Sequence, residues 1–259
     1  MIDGPRIPPA SGAPAKSLVI LLHGIGVSST LQETYMRVKA EADARGFIYV
    51  YPDGTRGGPE GQFWNGAACC QSPTTPPVDD VGYLDHIIEY VRTHYRLDER
   101  RIFLIGHSNG GFMASRYACE RSQVAAIATL SGGLYVDALR CGPPGRGTVA
   151  SLHIHATADE ITPYFFSDVP GLPSGLTTVF NWTVRNGCLP FPVPRPSFDM
   201  VSDLRGNETG PLRFLCFGAP FELWTIAGGS HVPNFYQPGE PGRTFAAITL
   251  DWLFTHGRR

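Results

Sequence analysis

Ser108 lies in Gly106-His107-Ser108-Asn109-Gly110, a match to G-x-S-x-G. A serine hydroxyl becomes a nucleophile when an imidazole takes its proton and a carboxylate orients that imidazole. Asp159 and His231 follow Ser108 in the chain order Ser, acid, His. His23, His107, His153 and His155 precede the acid and break that order, and His256 ends the last helical pattern, where its own helix carbonyls are the expected partners. Asp168 is the rival acid, but it sits in a Pro-rich stretch away from a strand end. Acyl transfer through such a group also needs two preset N–H donors for the oxyanion. Asn109 N–H, just after the nucleophile, is one expectation. Ile25 N-H, in His23-Gly24-Ile25-Gly26, is the other.

These groups work only if strands and helices deliver them. Arg101–Gly106 is a short apolar run that reads as a buried strand, and residues 111–119 read as a helix. Strand, Gly-flanked serine and helix make the turn that pushes the hydroxyl out at a strand's carboxyl end. Apolar runs at 17–23, 47–51, 124–130, 149–155, 214–216 and 221–226 predict further strands. Helices are expected at about 30–44, with Leu31, Tyr35, Val38 and Ala42 on one face, and at 81–96, 176–185 and 244–255. Asp159 then falls just beyond the strand ending at His155, and His231 just beyond the strand ending near Ile226. Strands alternating with helices predict an α/β architecture, a mostly parallel sheet with helices on both faces. Residues 52–77 read as a long polar loop, and Asp79 and Asp80 as helix caps.

Composition narrows the function classes. The chain has 259 residues, with 21 basic against 23 acidic side chains and no basic stripe, so nucleic acid is not an expected partner. No apolar stretch spans a bilayer, and no membrane partner is expected. No internal repeat or domain boundary shows, so residues 1–259 are read as a single catalytic domain. The 30 glycines, 23 prolines and few charges suit a loop-rich exported enzyme. Met1-Ile-Asp-Gly-Pro5 shows no signal peptide, so the expected form is a mature secreted or periplasmic one, with a cytoplasmic protein as the alternative. Six cysteines carry no C-x-x-C spacing, and no metal or organic cofactor is expected. Trp64, Tyr164, Phe165, Phe166 and Trp182 are candidates for an aromatic substrate pocket, with ordinary packing as the alternative.

Several longer segments resemble one group of proteins. They are LLHG at 21–24, ADARGFIYVYPDGT at 42–55, WNGAACC at 64–70, VDDVGYLDHII at 78–88 and LDERRIFLIGHSNGGFMASRYAC at 97–119. HIHATAD at 153–159, RNGC at 185–188 and GGSH at 228–231 continue the pattern nearly end to end. The chain resembles the polyhydroxybutyrate depolymerase and feruloyl esterase group of α/β-hydrolases. The resemblance implies the α/β-hydrolase fold and Ser108, Asp159 and His231 as a triad. It implies a serine carboxylic-ester hydrolase acting on hydroxycinnamate esters or short hydroxyalkanoate esters and oligomers. It also implies a Cys188–Cys216 disulfide; Cys69, Cys70, Cys119 and Cys141 are left with open pairing. The chain departs from the pattern at Ala156, where the group commonly has Gly, and at Val232–Tyr236, where an aromatic-Pro-Gly continuation is usual. Those differences flank the base and leave the substrate open. A serine peptidase on the same fold and a non-catalytic binding protein on a hydrolase scaffold are the competing readings.

Overall fold

A computed structural model describes residues 2–3, 14–58, 61–66, 77–135, 148–169 and 171–258. The strands are β1 (Ile2–Asp3), β2 (Lys16–Leu22), β3 (Ile48–Val50), β4 (Thr55–Gly58), β5 (Gly61–Phe63) and β6 (Leu97–His107). They continue with β7 (Ala126–Leu130), β8 (Ala150–Ala156), β9 (Val193–Pro194), β10 (Thr209–Phe214) and β11 (Phe221–Ile226). The helices are α1 (Ser29–Met36), α2 (Val38–Arg45), α3 (Asp80–His94), α4 (Asn109–Glu120), α5 (Gly175–Arg185) and α6 (Phe245–Thr255).

Nine strands form one sheet in the order β1-β3-β2-β6-β7-β8-β11-β10-β9. Pairing is parallel from β3 through β11 and antiparallel at both edges. Parallel strands in the middle of a sheet must be apolar on both faces, and β2 shows this directly. Val19 and Leu21 enter one core with Met36, Val38, Phe245 and Leu250, while Leu18, Ile20 and Leu22 enter the other with Leu84, Ile88, Met113 and Trp182. Thus α1, α2 and α6 cover one face, and α3, α4 and α5 the other.

Three local expectations are corrected. The helix at 30–44 is two helices, broken where Arg37 takes a left-handed conformation at φ 54°. The break rotates the first half, so Leu31 is 56% exposed while Ser29, Gln32 and Met36 are buried. The strand expected at 214–216 is β10, ending at Phe214, because its register with β11 pairs Phe214 with Phe221 and makes 215–220 the turn. Pro211 is tolerated inside β10 because only the two-residue β9 lies on its outer side. The loop at 52–77 contains the β4–β5 hairpin; residues 59–60 and 67–76 lie outside the described residues.

Candidate active site

The chain order reverses between β2 and β6: β3 lies on one side of β2 and β6 on the other. Crevices at such switch points, beyond the strands' carboxyl ends, are where parallel sheets bind ligands. The loop His23–Gly26 and the turn at Ser108 meet there.

Ser108 links β6 to α4 with φ 52° and ψ −120°, a conformation that disfavours a side chain. Tight packing holds it. A Cβ on Gly106 would collide with the Gly110 carbonyl, and one on Gly110 with the Leu22 carbonyl. Both flanking glycines are therefore required by close backbone approach. Asn109 is the first residue of α4, so its N–H has no intrahelical acceptor.

The His23–Gly26 loop is clamped at both ends. Gly24 N–H donates to Gln32 Oε1 at 3.0 Å, and Gly26 N–H donates to the Gln62 carbonyl at 2.8 Å. Ile25 N–H, between them, has no hydrogen-bond acceptor among the described residues. The β4–β5 hairpin is thus a buttress for this loop. His23 serves the same end: its Nε2 accepts from Gly54 N–H at 2.8 Å, its Nδ1 contacts the Gly24 carbonyl at 2.7 Å, and burial lowers its pKa.

The Asp159 and His231 loops meet because β8 and β11 are parallel neighbours. Thr157 N–H donates to the Ile226 carbonyl at 2.9 Å, and Ala158 N–H to the Gly229 carbonyl at 3.0 Å. His231 Nδ1 lies 2.8 and 2.9 Å from the two Asp159 oxygens. Thr162 N–H and Ile161 N–H donate to Asp159 Oδ1 at 2.7 and 3.0 Å. Burial alone would raise the Asp159 pKa. Hydrogen bonds from His155 and His231, with the imidazole's charge, outweigh it and hold the carboxyl well below the usual range. Asp168 is exposed and makes no hydrogen bond to a histidine among the described residues.

His107, set aside by chain order, sits against His231. Its Nε2 lies 3.1 Å from the His231 carbonyl and its Nδ1 3.3 Å from Gln32 Oε1. Burial, then the neighbouring His231, pushes its pKa down to about 4. It is neutral at physiological pH and donates to one of these two oxygens.

The aromatic candidates separate. Trp64 and Trp182 are 0% exposed, so neither presents surface to a ligand. Trp64 donates from Nε1 to the His23 carbonyl at 3.1 Å, and its backbone is held at both ends by the Asn109 side chain. Tyr164 is buried with its hydroxyl 2.9 Å from Thr225 Oγ1, while Phe165 and Phe166 are 53% and 86% exposed. A depression of about 450 Å³, lined by Tyr135, Asp168, Leu172, Thr177 and Asn181 among others, opens among the loops after β7 and β8. Asp79 caps α3 through Gly82 N–H, but Asp80 does not; it is buried and accepts from Asn65 N–H at 2.6 Å. His256 contacts the Trp252 carbonyl at 2.7 Å, as expected. Cys188 and Cys216 form a disulfide, and Cys119 is also disulfide-bonded; Cys69, Cys70 and Cys141 lie outside the described residues.

Sequence reasoning missed Gln32 and His155. Gln32 is a polar residue on a buried helix face, with no pattern to flag it. His155 alternates with His153 on β8, which places both on one face of the strand, and that was the available signal.

A six-strand parallel core with a strained serine turn between strand and helix, and an Asp–His pair beyond two later strands, defines an α/β-hydrolase core. The Alpha/beta hydrolase family model matches residues 19–248, and the chain belongs to that family. It is 28% identical to feruloyl esterase B of Piromyces equi over 85% of this chain and 40% of that protein. It is 29% identical to feruloyl esterase C of Emericella nidulans over 60% of this chain and 55% of that protein. The chain therefore spans about half the length of these relatives. The solved acetyl xylan esterase from Aspergillus awamori shares the fold, with a TM-score of 0.69 at 14% identity over 98% of this chain and 92% of that one. No helix among the described residues is long and apolar enough to cross a membrane.

Proposed function

We propose that this protein is a serine carboxylic-ester hydrolase with Ser108 as nucleophile, His231 as base and Asp159 as its orienting acid. The observation that carries the reading is the buried Asp159–His231 pair, whose histidine carbonyl lies 3.1 Å from the ring of His107, the residue just before the strained Ser108. His231 removes the hydroxyl proton as Ser108 Oγ attacks the ester carbonyl. The N–H groups of Asn109 and Ile25 receive the oxyanion. His231 returns the proton to the leaving alcohol, and water, activated by the same imidazole, releases the acid from the acyl-enzyme. Asp159 stays ionised throughout and stabilises the imidazolium.

Hydroxycinnamate esters are the first substrate class, supported by relatives named feruloyl esterases. Short hydroxyalkanoate esters are the second. Residues 1–259 act as one catalytic domain. The disulfides favour a secreted or periplasmic setting. Initial rates on methyl ferulate, p-nitrophenyl acetate and a soluble 3-hydroxybutyrate oligomer, wild type beside Ser108→Ala, test the reading. Turnover abolished by Ser108→Ala supports it; turnover that survives the substitution, or no turnover of any ester and no labelling by a fluorophosphonate, refutes it.

A further inference from the structure

A row of buried groups runs from β7 across β8 to Asp159. Thr129 Oγ1 lies 2.9 Å from His153 Nδ1, and His153 Nε2 lies 3.0 Å from His155 Nδ1. His155 Nε2 lies 2.8 Å from the Thr162 carbonyl and 3.3 Å from Asp159 Oδ2. The register makes this row: Thr129 on β7 pairs with His153 on β8, and His155 is two residues further along the same face. All three side chains are buried.

The partners determine where the protons sit. The Thr162 carbonyl only accepts, so His155 carries its hydrogen on Nε2, shared with Asp159 Oδ2. In the neutral ring its Nδ1 is a lone pair and receives the His153 Nε2 hydrogen. His153, which burial holds well below its ordinary pKa and hence neutral, is left with a lone pair at Nδ1, which takes the Thr129 hydroxyl. This single neutral assignment satisfies every link, and each hydrogen points toward the carboxylate. Donors aligned in this way polarise one another. Asp159 Oδ1 has two backbone donors, whereas Oδ2 has only His155 besides His231 among the described residues.

We propose that His155 is a positioning residue for Asp159, set in its working tautomer by His153 and Thr129. The proposal rests on the reading of Asp159 and His231 as acid and base. Its effect on the reaction has a definite sign. A hydrogen bond to Oδ2 drains charge from the carboxylate and so weakens its hold on the His231 proton. Without it, Asp159 is more basic and less fixed, and the protonated, inactive form of His231 persists to higher pH. Among the described residues, the other titratable groups facing this row are few. Glu160 accepts from His231 N–H at 3.2 Å, the His107 ring lies 5.3 Å from the His231 ring, and the Tyr164 ring 5.6 Å from the His155 ring.

The test is the pH profile of kcat/KM on p-nitrophenyl acetate for wild type, His155→Met, His155→Gln and Thr129→Val, with melting temperatures alongside. Gln places an amide donor near the Nε2 position, whereas Met removes the donor. The expected result is a loss of about tenfold or more in His155→Met. Its acidic limb should move up by about half a pH unit. His155→Gln should recover most of both, and Thr129→Val should give a smaller shift in the same direction. Equal losses in Met and Gln with an unmoved limb would reduce His155 to packing and overturn the proposal. If the His155 variants do not fold, Thr129→Val decides alone, and an unshifted limb there overturns it. A wild type without Ser108-dependent turnover overturns the triad reading, and this one with it; a Ser108-dependent wild type with unmoved limbs overturns this one only.

Discussion

Gln32→Met tests whether a side chain, rather than the backbone's own preference, aims the proposed oxyanion loop. Gln32 is 2% exposed. Its Oε1 accepts from Gly24 N–H at 3.0 Å and faces His107 Nδ1 at 3.3 Å, while its Nε2 has no partner among the described residues. Replacing the amide with a thioether of similar volume therefore removes one satisfied acceptor and one orphaned donor. Leaving Gly24 N–H unpaired costs about 1–3 kcal/mol, and deleting the orphaned Nε2 relieves a cost of about the same size. The two largely cancel, so global stability should change by less than about 1 kcal/mol, or roughly 2–4 °C in Tm for a chain of this size. The rate has no such cancellation. Ile25 N–H is aimed because the peptides on both sides of it are held, at Gly24 by Gln32 and at Gly26 by Gln62. Complete loss of one oxyanion donor costs about 2.7–4 kcal/mol of transition-state stabilisation. That is about 100- to 1000-fold in kcat, and partial misalignment should still give about tenfold. Steady-state kcat and KM on p-nitrophenyl acetate, beside a thermal melt, check this. A kcat within about threefold of wild type would refute the reasoning, because the loop would then hold its geometry without Gln32.

Further predictions follow from other parts of the molecule. Gly110→Ala should destabilise by more than about 3 kcal/mol, since the new methyl meets the Leu22 carbonyl and neither backbone can yield; soluble yield and melting temperature measure it. Asp159 is more acidic folded than unfolded, so its contribution is present above the unfolded carboxyl range near pH ~4 and is lost as pH falls further. Asp159→Asn should therefore melt lower than wild type at pH 7, by the loss of about 1.5–3 kcal/mol of charge-assisted bonding, and the gap should narrow toward pH ~3 in urea unfolding. Cys188→Ser opens a loop closed at a sequence separation of 28, worth about 3.5 kcal/mol in the chain-entropy model. A Tm lower by roughly 10 °C in calorimetry is expected.

The sequence by itself determined the sheet's interior and the elbow. Continuous apolar runs such as Leu18–Leu22 have room only between two helical layers, and a serine between Gly106 and Gly110 admits little besides a tight strand-to-helix turn. Chain order likewise singled out Asp159 and His231, because this topology places later loops at neighbouring strand ends. Local pattern failed where long-range contact decides. Arg37 interrupts an unbroken helical periodicity, and Phe214–Cys216 looks like a strand until pairing with Phe221 turns it. Trp64 and Trp182, plausible as pocket walls from their loop and helix positions, are buried in the core. Only the tertiary structure brought Gln32 onto Gly24, and only the β7–β8 register aligned Thr129 and His153, with His155 carrying the row on to Asp159. Hydrogen bonds between residues far apart in sequence leave no periodic trace in the chain, so the partners that hold Gly24 and Asp159 in place became visible only once the strands were laid side by side.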